Sequence, residues 1–233
     1  MSPPDTGDAV VLLHGLGRTH RAMSPLATSL AADGYRVLNR SYASRRHHIE
    51  SLARAVVGVR LSEIGRWDPP PRRIHFVTHS LGGILVRWYA ANVGLPPGGR
   101  AVMIAPPHGG SEAADVLQPH RAAQWWFGPV LQELGTGPGS IPLSLGPIDG
   151  LEVGVIAGDR AGYPFFVRRF DDAHDGLVSV ASTRIQGAAD SIVLPLGHSF
   201  IAGQAATIRQ ASFFLRHGRF DRDGTFALTT ETP

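Results

Sequence analysis

The chain has 233 residues, 43% hydrophobic and 18% charged, proportions that fit one soluble globular domain. No apolar run approaches the roughly 18 residues that a membrane-spanning helix needs, and no cysteine is present for a disulfide or a thiolate metal site. The net charge is only +3 and the arginines are spread along the chain, which excludes the long basic stripe of a nucleic-acid-binding protein. Weak attraction to anionic lipid headgroups remains compatible with this charge but is not indicated by it.

Strand-like and helix-like segments alternate along the chain, which predicts a parallel sheet with helices on both faces. We expect a single domain over residues 1–233, with 106–150 as a small cap segment and 220–233 as a polar tail. The predicted strands are 10–14, 35–39, 74–78, 101–105, 152–157 and 191–195, and the predicted helices are 22–33, 47–65, 80–92, 111–118, 123–134 and 200–216.

The first motif follows the first predicted strand. Val10–Leu13 is a continuous apolar run, as expected for a strand buried on both faces, and it leads into His14-Gly15-Leu16-Gly17-Arg18. An ordinary strand-to-helix turn would also explain this sequence. Fewer than ten residues precede the strand, so we expect the smallest form of such a sheet.

The second motif, Thr78-His79-Ser80-Leu81-Gly82-Gly83, joins the apolar run 74–77 to a segment with helical spacing. A serine between small residues at such a junction is typical of a nucleophile elbow, a tight turn that holds the serine in a strained conformation. A side chain at Gly82 would collide with the incoming strand. The alternative is a glycine-rich helix start.

The segment 106–150 contains three consecutive aromatic residues, Trp125, Trp126 and Phe127. They predict either the apolar wall of a substrate pocket or a patch that packs a short helix against the sheet. Ser111 and Glu112 are interpreted as a helix N-terminus rather than a second site.

Three aspartates could orient a catalytic histidine. Asp175 begins an Asp-Gly-Leu-Val segment predicted to be extended, Asp159 directly follows the strand at 153–157, and Asp172 lies between them. Asp175 is favoured, and in that case 160–174 is an insertion whose residues 163–166, Tyr-Pro-Phe-Phe, contribute to the pocket wall.

His198 follows the last predicted strand, in the sequence Gly197-His198-Ser199-Phe200, and is the favoured general base. His79 adjoins Ser80, but a strand-to-helix turn directs adjacent side chains apart, so we expect His79 to pack or bond locally.

The four motifs in this order resemble α/β-hydrolases of the small bacterial serine esterase and lipase type, from about Val10 to Arg219. The resemblance implies a minimal α/β-hydrolase fold of about six mainly parallel strands. It also implies a catalytic triad of Ser80, His198 and Asp175, with the backbone N–H groups of Leu16 and Leu81 as the oxyanion hole. Thr78 departs from the glycine that usually opens the elbow.

The implied activity is hydrolysis of a small-molecule or lipid ester, without a metal or organic cofactor. A thioesterase, amidase or acyltransferase would use the same residues, and a non-catalytic binding protein on this scaffold is the alternative of a different class. The sequence contains no cysteine and no signal-peptide pattern, and both features predict a cytoplasmic protein. The sequence leaves the oligomeric state open.

Overall fold

A computed structural model describes residues 5–161, 170 and 172–224. Its centre is a six-stranded sheet in which every strand pairing is parallel, in the order β2-β1-β3-β4-β5-β6. The strands are β1 (Ala9–Leu13), β2 (Arg36–Asn39), β3 (Ile74–His79), β4 (Gly99–Ile104), β5 (Leu151–Gly158) and β6 (Asp190–Leu194). The sequence predicted each strand within about two residues, and the sheet is wholly rather than mainly parallel.

Alternate residues of β1 belong to two separate hydrophobic cores, one on each face of the sheet. Val11 and Leu13 pack on one side, and Val10 and Leu12 on the other. This two-sided burial explains why the strand is a continuous apolar run rather than an alternating one.

Helices cover both faces, as predicted. The first core includes residues of α2 (Ile49–Ala53), α3 (Val59–Ile64) and α4 (Leu81–Asn92), and the second includes residues of α1 (Ser24–Ala32) and α9 (Ala205–His217). A π-helical turn over Arg54–Gly58 joins α2 to α3, where the sequence predicted one helix.

Four short helices occupy the predicted cap segment between β4 and β5. They are α5 (Glu112–Leu117), α6 (Arg121–Phe127), α7 (Val130–Glu133) and α8 (Ile141–Ser144). The single helix predicted over 123–134 was wrong because Gly128, with φ of 73°, ends α6. Ser111 accepts a hydrogen bond from the Ala114 N–H at 3.2 Å, which confirms the helix N-terminus predicted there.

The direction in which strands are added reverses between β1 and β3. Beyond β1 lies only β2, whereas β4, β5 and β6 follow β3 in turn. Parallel α/β sheets bind ligands at the carboxyl ends of strands beside such a reversal. The turns after β1 and β3 carry the first two sequence motifs.

The segment predicted as a polar tail begins with two buried residues. Phe220 belongs to the second core, and the N–H of Asp221 donates to Gln210 Oε1 at 2.8 Å. Residues 225–233 lie outside the described chain. Within the described residues, no helix is both long and apolar enough to cross a bilayer.

Candidate active site

Ser80 occupies the turn between β3 and α4 in a conformation that L-amino acids rarely adopt, with φ of 52° and ψ of −119°. Its N–H donates to Ile104 O at 2.9 Å, which anchors the turn to the neighbouring strand. A Cβ at Gly82 would lie 2.6 Å from Leu13 O, so this position excludes any side chain. The collision is with the adjacent strand β1, not with the incoming strand as predicted.

The loop after β1 packs directly on the Ser80 turn. A Cβ at Gly15 would lie 3.0 Å from His79 Nδ1 and 3.3 Å from Ser80 Cβ. A side chain at Gly15 would have to displace these atoms by a few tenths of an ångström, so glycine favours the close approach that brings the loop carrying Leu16 against the serine.

His14 holds that loop in place. Its Nδ1–H donates to Gly15 O at 2.9 Å, its Nε2 accepts the Tyr42 N–H at 3.1 Å, and its ring stacks on Tyr42 at 4.1 Å. Burial lowers the pKa of His14 to about 4, which keeps the imidazole neutral and able to accept this bond.

His198 and Asp175 form a buried pair. The Nδ1–H of His198 donates to Asp175 Oδ2 at 2.7 Å, and the His198 N–H donates to Asp175 O at 3.0 Å. The second carboxylate oxygen of Asp175 accepts the N–H groups of Leu177 and Val178, at 3.0 and 2.9 Å. Both carboxylate oxygens therefore accept hydrogen bonds, and the bond from His198 places a ring proton on Nδ1.

Of the three aspartate candidates, Asp175 is the one that contacts His198, whereas Asp159 and Asp172 are exposed. The segment after Asp175 is a tight turn and not the extended segment that was predicted. The Asp175 N–H donates to Val178 O at 3.1 Å, and Gly176, with φ of 102°, permits the reversal.

His79 connects the serine turn to the histidine loop. Its Nε2–H donates to His198 O at 3.0 Å, and the two rings lie 5.0 Å apart. Burial holds the pKa of His79 well below its ordinary value, and the charge of nearby His198 is the second largest cause. The expectation of a local partner was wrong, because this partner is 119 residues away in the chain.

Ser80 and His198 line one largely apolar cavity of about 430 Å³. The loop residues Gly15–Arg18, side chains of α5, α6 and α7, and Leu177 and Val178 line it. Trp126 and Phe127 contribute to this lining, but Trp125 is 82% exposed and does not. Consecutive helical residues point about 100° apart, so the three predicted aromatic side chains cannot share one face. Phe127 also packs against the first core, so the alternative packing role is confirmed for Phe127 and was wrong for the exposed Trp125 and Trp126.

The backbone fold of this chain is similar to that of three solved structures. The mature lipase BlEst2 of Bacillus licheniformis is 18% identical, with a TM-score of 0.67 over 92% of this chain and 93% of that one. Phospholipase PlaB of Legionella pneumophila is 20% identical, with a TM-score of 0.68 over 89% of this chain and 56% of that one. The metagenomic carboxyl esterase MGS0156 is 18% identical, with a TM-score of 0.63 over 85% of this chain and 66% of that one.

The chain has the α/β-hydrolase fold. No protein-family model and no curated protein sequence matches it. At 18–20% identity the similarity to the three structures is a similarity of backbone fold. The chemistry of this chain depends on its own residues.

Sequence reasoning gave no role to three residues that lie at the candidate site: Tyr42 contacts His14, His79 donates to His198 O, and Arg18 lines the cavity beside Phe200. Each acts through a neighbour from a distant part of the chain, so no local pattern reveals it. The predicted pocket residues 163–166 lie outside the described chain. Among the described residues, no cluster of three or more histidine, aspartate or glutamate side chains could hold a metal ion.

Proposed function

We propose that this protein is a serine hydrolase that cleaves carboxylic esters through an acyl-enzyme. The proposal depends on one arrangement of three residues. Ser80 is strained at a strand-to-helix turn, and it shares an apolar cavity with His198, whose Nδ1–H is held by Asp175 at 2.7 Å.

A serine hydroxyl is a weak nucleophile near neutral pH and needs a base. Because Nδ1 of His198 carries the proton donated to Asp175, Nε2 is the nitrogen left to take the proton from Ser80. Asp175 then stabilises the resulting imidazolium without becoming protonated. Ser80 Oγ attacks the ester carbonyl and forms a tetrahedral oxyanion.

The backbone N–H groups of Leu16 and Leu81 are our candidates for binding that oxyanion. Leu81 is the first residue of α4, so its N–H has no acceptor within the helix, and Leu16 lines the cavity from the loop that packs on Ser80. Losing one such donor typically costs about 3 kcal/mol of transition-state stabilisation.

Collapse of the oxyanion breaks the acyl C–O bond, and His198 gives its proton to the leaving alcohol oxygen. A water molecule then attacks the acyl-enzyme, with His198 accepting its proton and returning it to Ser80 Oγ. The products are a carboxylic acid and an alcohol, and Ser80 is regenerated.

The apolar side of the cavity suits an acyl chain, which favours small-molecule or lipid esters as substrates. The names of the structural neighbours, a lipase, a phospholipase and a carboxyl esterase, agree with this substrate class.

The test is hydrolysis of p-nitrophenyl octanoate by the wild type and matched variants. Ser80→Ala should abolish turnover, and Asp175→Asn should lower kcat by on the order of 10³–10⁴, because an amide at this position favours the wrong tautomer of His198. Asp159→Asn is the matched control, since Asp159 is exposed and does not contact His198, and its effect should stay below about tenfold. Wild-type kcat in Asp175→Asn, with a collapse in Asp159→Asn, would refute the assignment of the acid.

A further inference from the structure

We propose that the site accepts esters whose alcohol carries an anionic group, phosphate or carboxylate, and that Arg18 binds this group. The inference rests on the function proposed above and specifies its substrate class. The carboxylic acid would come from the apolar side of the cavity, and the leaving alcohol would depart with its negative charge beside Arg18.

The charge distribution of the cavity is the first support. Arg18 is the one arginine among the lining residues of the described chain, and no aspartate or glutamate lines the cavity with it. Of the two lining histidines, His79 is held neutral by burial. The carboxylate of Asp175 is used by His198 and two backbone N–H groups. The cavity therefore presents a positive charge with no negative group of its own.

The guanidinium of Arg18 lacks the hydrogen-bond partners that the two buried arginines, Arg60 and Arg87, have. Arg60 donates to Val56 O and Arg40 O, and Arg87 donates to Gly146 O and His108 O. Arg18 is half-buried, and among the described residues its guanidinium makes neither an ion pair nor a hydrogen bond. The guanidinium lies over the Phe200 ring, 5.8 Å from the ring centre. A cation beside apolar walls is stabilised by a bound anion, and the guanidinium fork matches phosphate and carboxylate oxygens.

The position of Arg18 assigns it to the alcohol side. Its backbone N–H donates to Gly15 O at 3.2 Å, and the N–H of Gly17 donates to Ser44 Oγ at 3.0 Å, so the loop that carries it is held in place. Phe200, which Arg18 faces, is two residues beyond His198, the group proposed to protonate the leaving alcohol. The apolar residues of the same cavity, among them Leu131, Leu134 and Trp126, are then left for the acyl chain.

The main test uses two esters that differ by one phosphate, 1-octanoylglycerol and 1-octanoylglycerol 3-phosphate, at concentrations where both are monomeric. Release of octanoic acid gives kcat/KM for each. The wild type should prefer the phosphate ester by roughly tenfold to a hundredfold, the range expected for charge-assisted hydrogen bonds. Arg18→Gln should bring the ratio close to one. Arg21→Gln, an exposed arginine outside the cavity lining, is the control and should preserve the ratio.

Equal wild-type kcat/KM values, or a preference that survives Arg18→Gln, would overturn the inference and leave the proposed hydrolase intact. A second arm embeds both esters in phosphatidylcholine or phosphatidylglycerol vesicles. If both esters gain rate equally on the anionic vesicles, and no preference exists between the monomers, the positive charge serves a lipid surface and the inference fails.

A third measurement does not require turnover of either ester. Octyl phosphate should slow the labelling of Ser80 by a fluorophosphonate in the wild type but much less in Arg18→Gln, while octanol should act equally on both. Labelling without this difference refutes the role of Arg18 alone. Absence of labelling at Ser80 refutes the proposed function itself.

Discussion

At the scale of single residues, backbone strain is concentrated beside the candidate site. Ser80 and Ala105 are the two non-glycine residues with positive φ in the described chain, at 52° and 48°. Each directly follows one of two neighbouring strands, β3 and β4. The motif around Ser80 predicted the first of these conformations, whereas nothing in the sequence around Ala105 announces the second.

Replacing Ser80 by glycine should stabilise the fold relative to replacing it by alanine. Strain at such a residue costs about 1–3 kcal/mol, and glycine removes it at the expense of about 0.5–1 kcal/mol of unfolded-state entropy. We therefore expect Ser80→Gly to exceed Ser80→Ala by about 1 kcal/mol in the free energy of unfolding, measured by urea denaturation. A more stable Ser80→Ala protein would show that the turn is not strained.

At the scale of elements, the strands were predictable and the cap helices were not. A strand buried on both faces must be apolar at every position, so runs such as Val10–Leu13 have few alternative interpretations. The break between α6 and α7 depends on a tertiary contact: a Cβ at Gly128 would lie 1.7 Å from Arg45 O. Such close approaches cannot be derived from the local sequence.

The orientation of α6 gives a prediction about its two tryptophans. Trp126 lines the cavity and Trp125 does not, although both are largely exposed. Trp126→Ala should lower kcat/KM for an octanoate ester by roughly fivefold to tenfold through lost apolar contact, and should affect an acetate ester much less. Trp125→Ala is the matched control and should leave both values near those of the wild type. Equal losses in the two variants would show that α6 does not contact the acyl chain.

At the scale of the whole molecule, several histidines are buried in the neutral form. Burial lowers the pKa of His14 to about 4 and, with a contribution from Arg87, the pKa of His108 to about 3. The sequence motifs located His198 but gave no sign of these structural roles, because burial is a property of the assembled fold. Likewise Arg18 and Phe200 meet only when loops from opposite ends of the chain converge.

These histidines make folding stability depend on pH. In the unfolded chain, histidine takes up a proton near pH 6.5. In the folded chain, His14 does so only near pH 4. The contribution of these histidines to the free energy of unfolding is complete above pH 6.5, and it is lost as the pH falls towards their pKa values in the folded protein. Between pH 7 and pH 5 we expect a loss of about 2 kcal/mol for each of His14 and His108.

Urea denaturation at the two pH values measures this loss. His108→Gln should reduce it, and His47→Gln should not, because His47 is exposed. A free energy of unfolding that is the same at pH 7 and pH 5 would contradict the neutral, buried state of these rings.

The most direct test of the central claim is covalent labelling with a fluorophosphonate, followed by peptide mapping. Only an activated serine reacts rapidly with such a phosphorus electrophile. Ser199→Ala removes another serine of the same cavity and serves as the control. We predict rapid modification at Ser80 in the wild type and in Ser199→Ala, and none in folded Ser80→Ala. Modification of a different serine, or no modification of the folded wild type, would contradict the account.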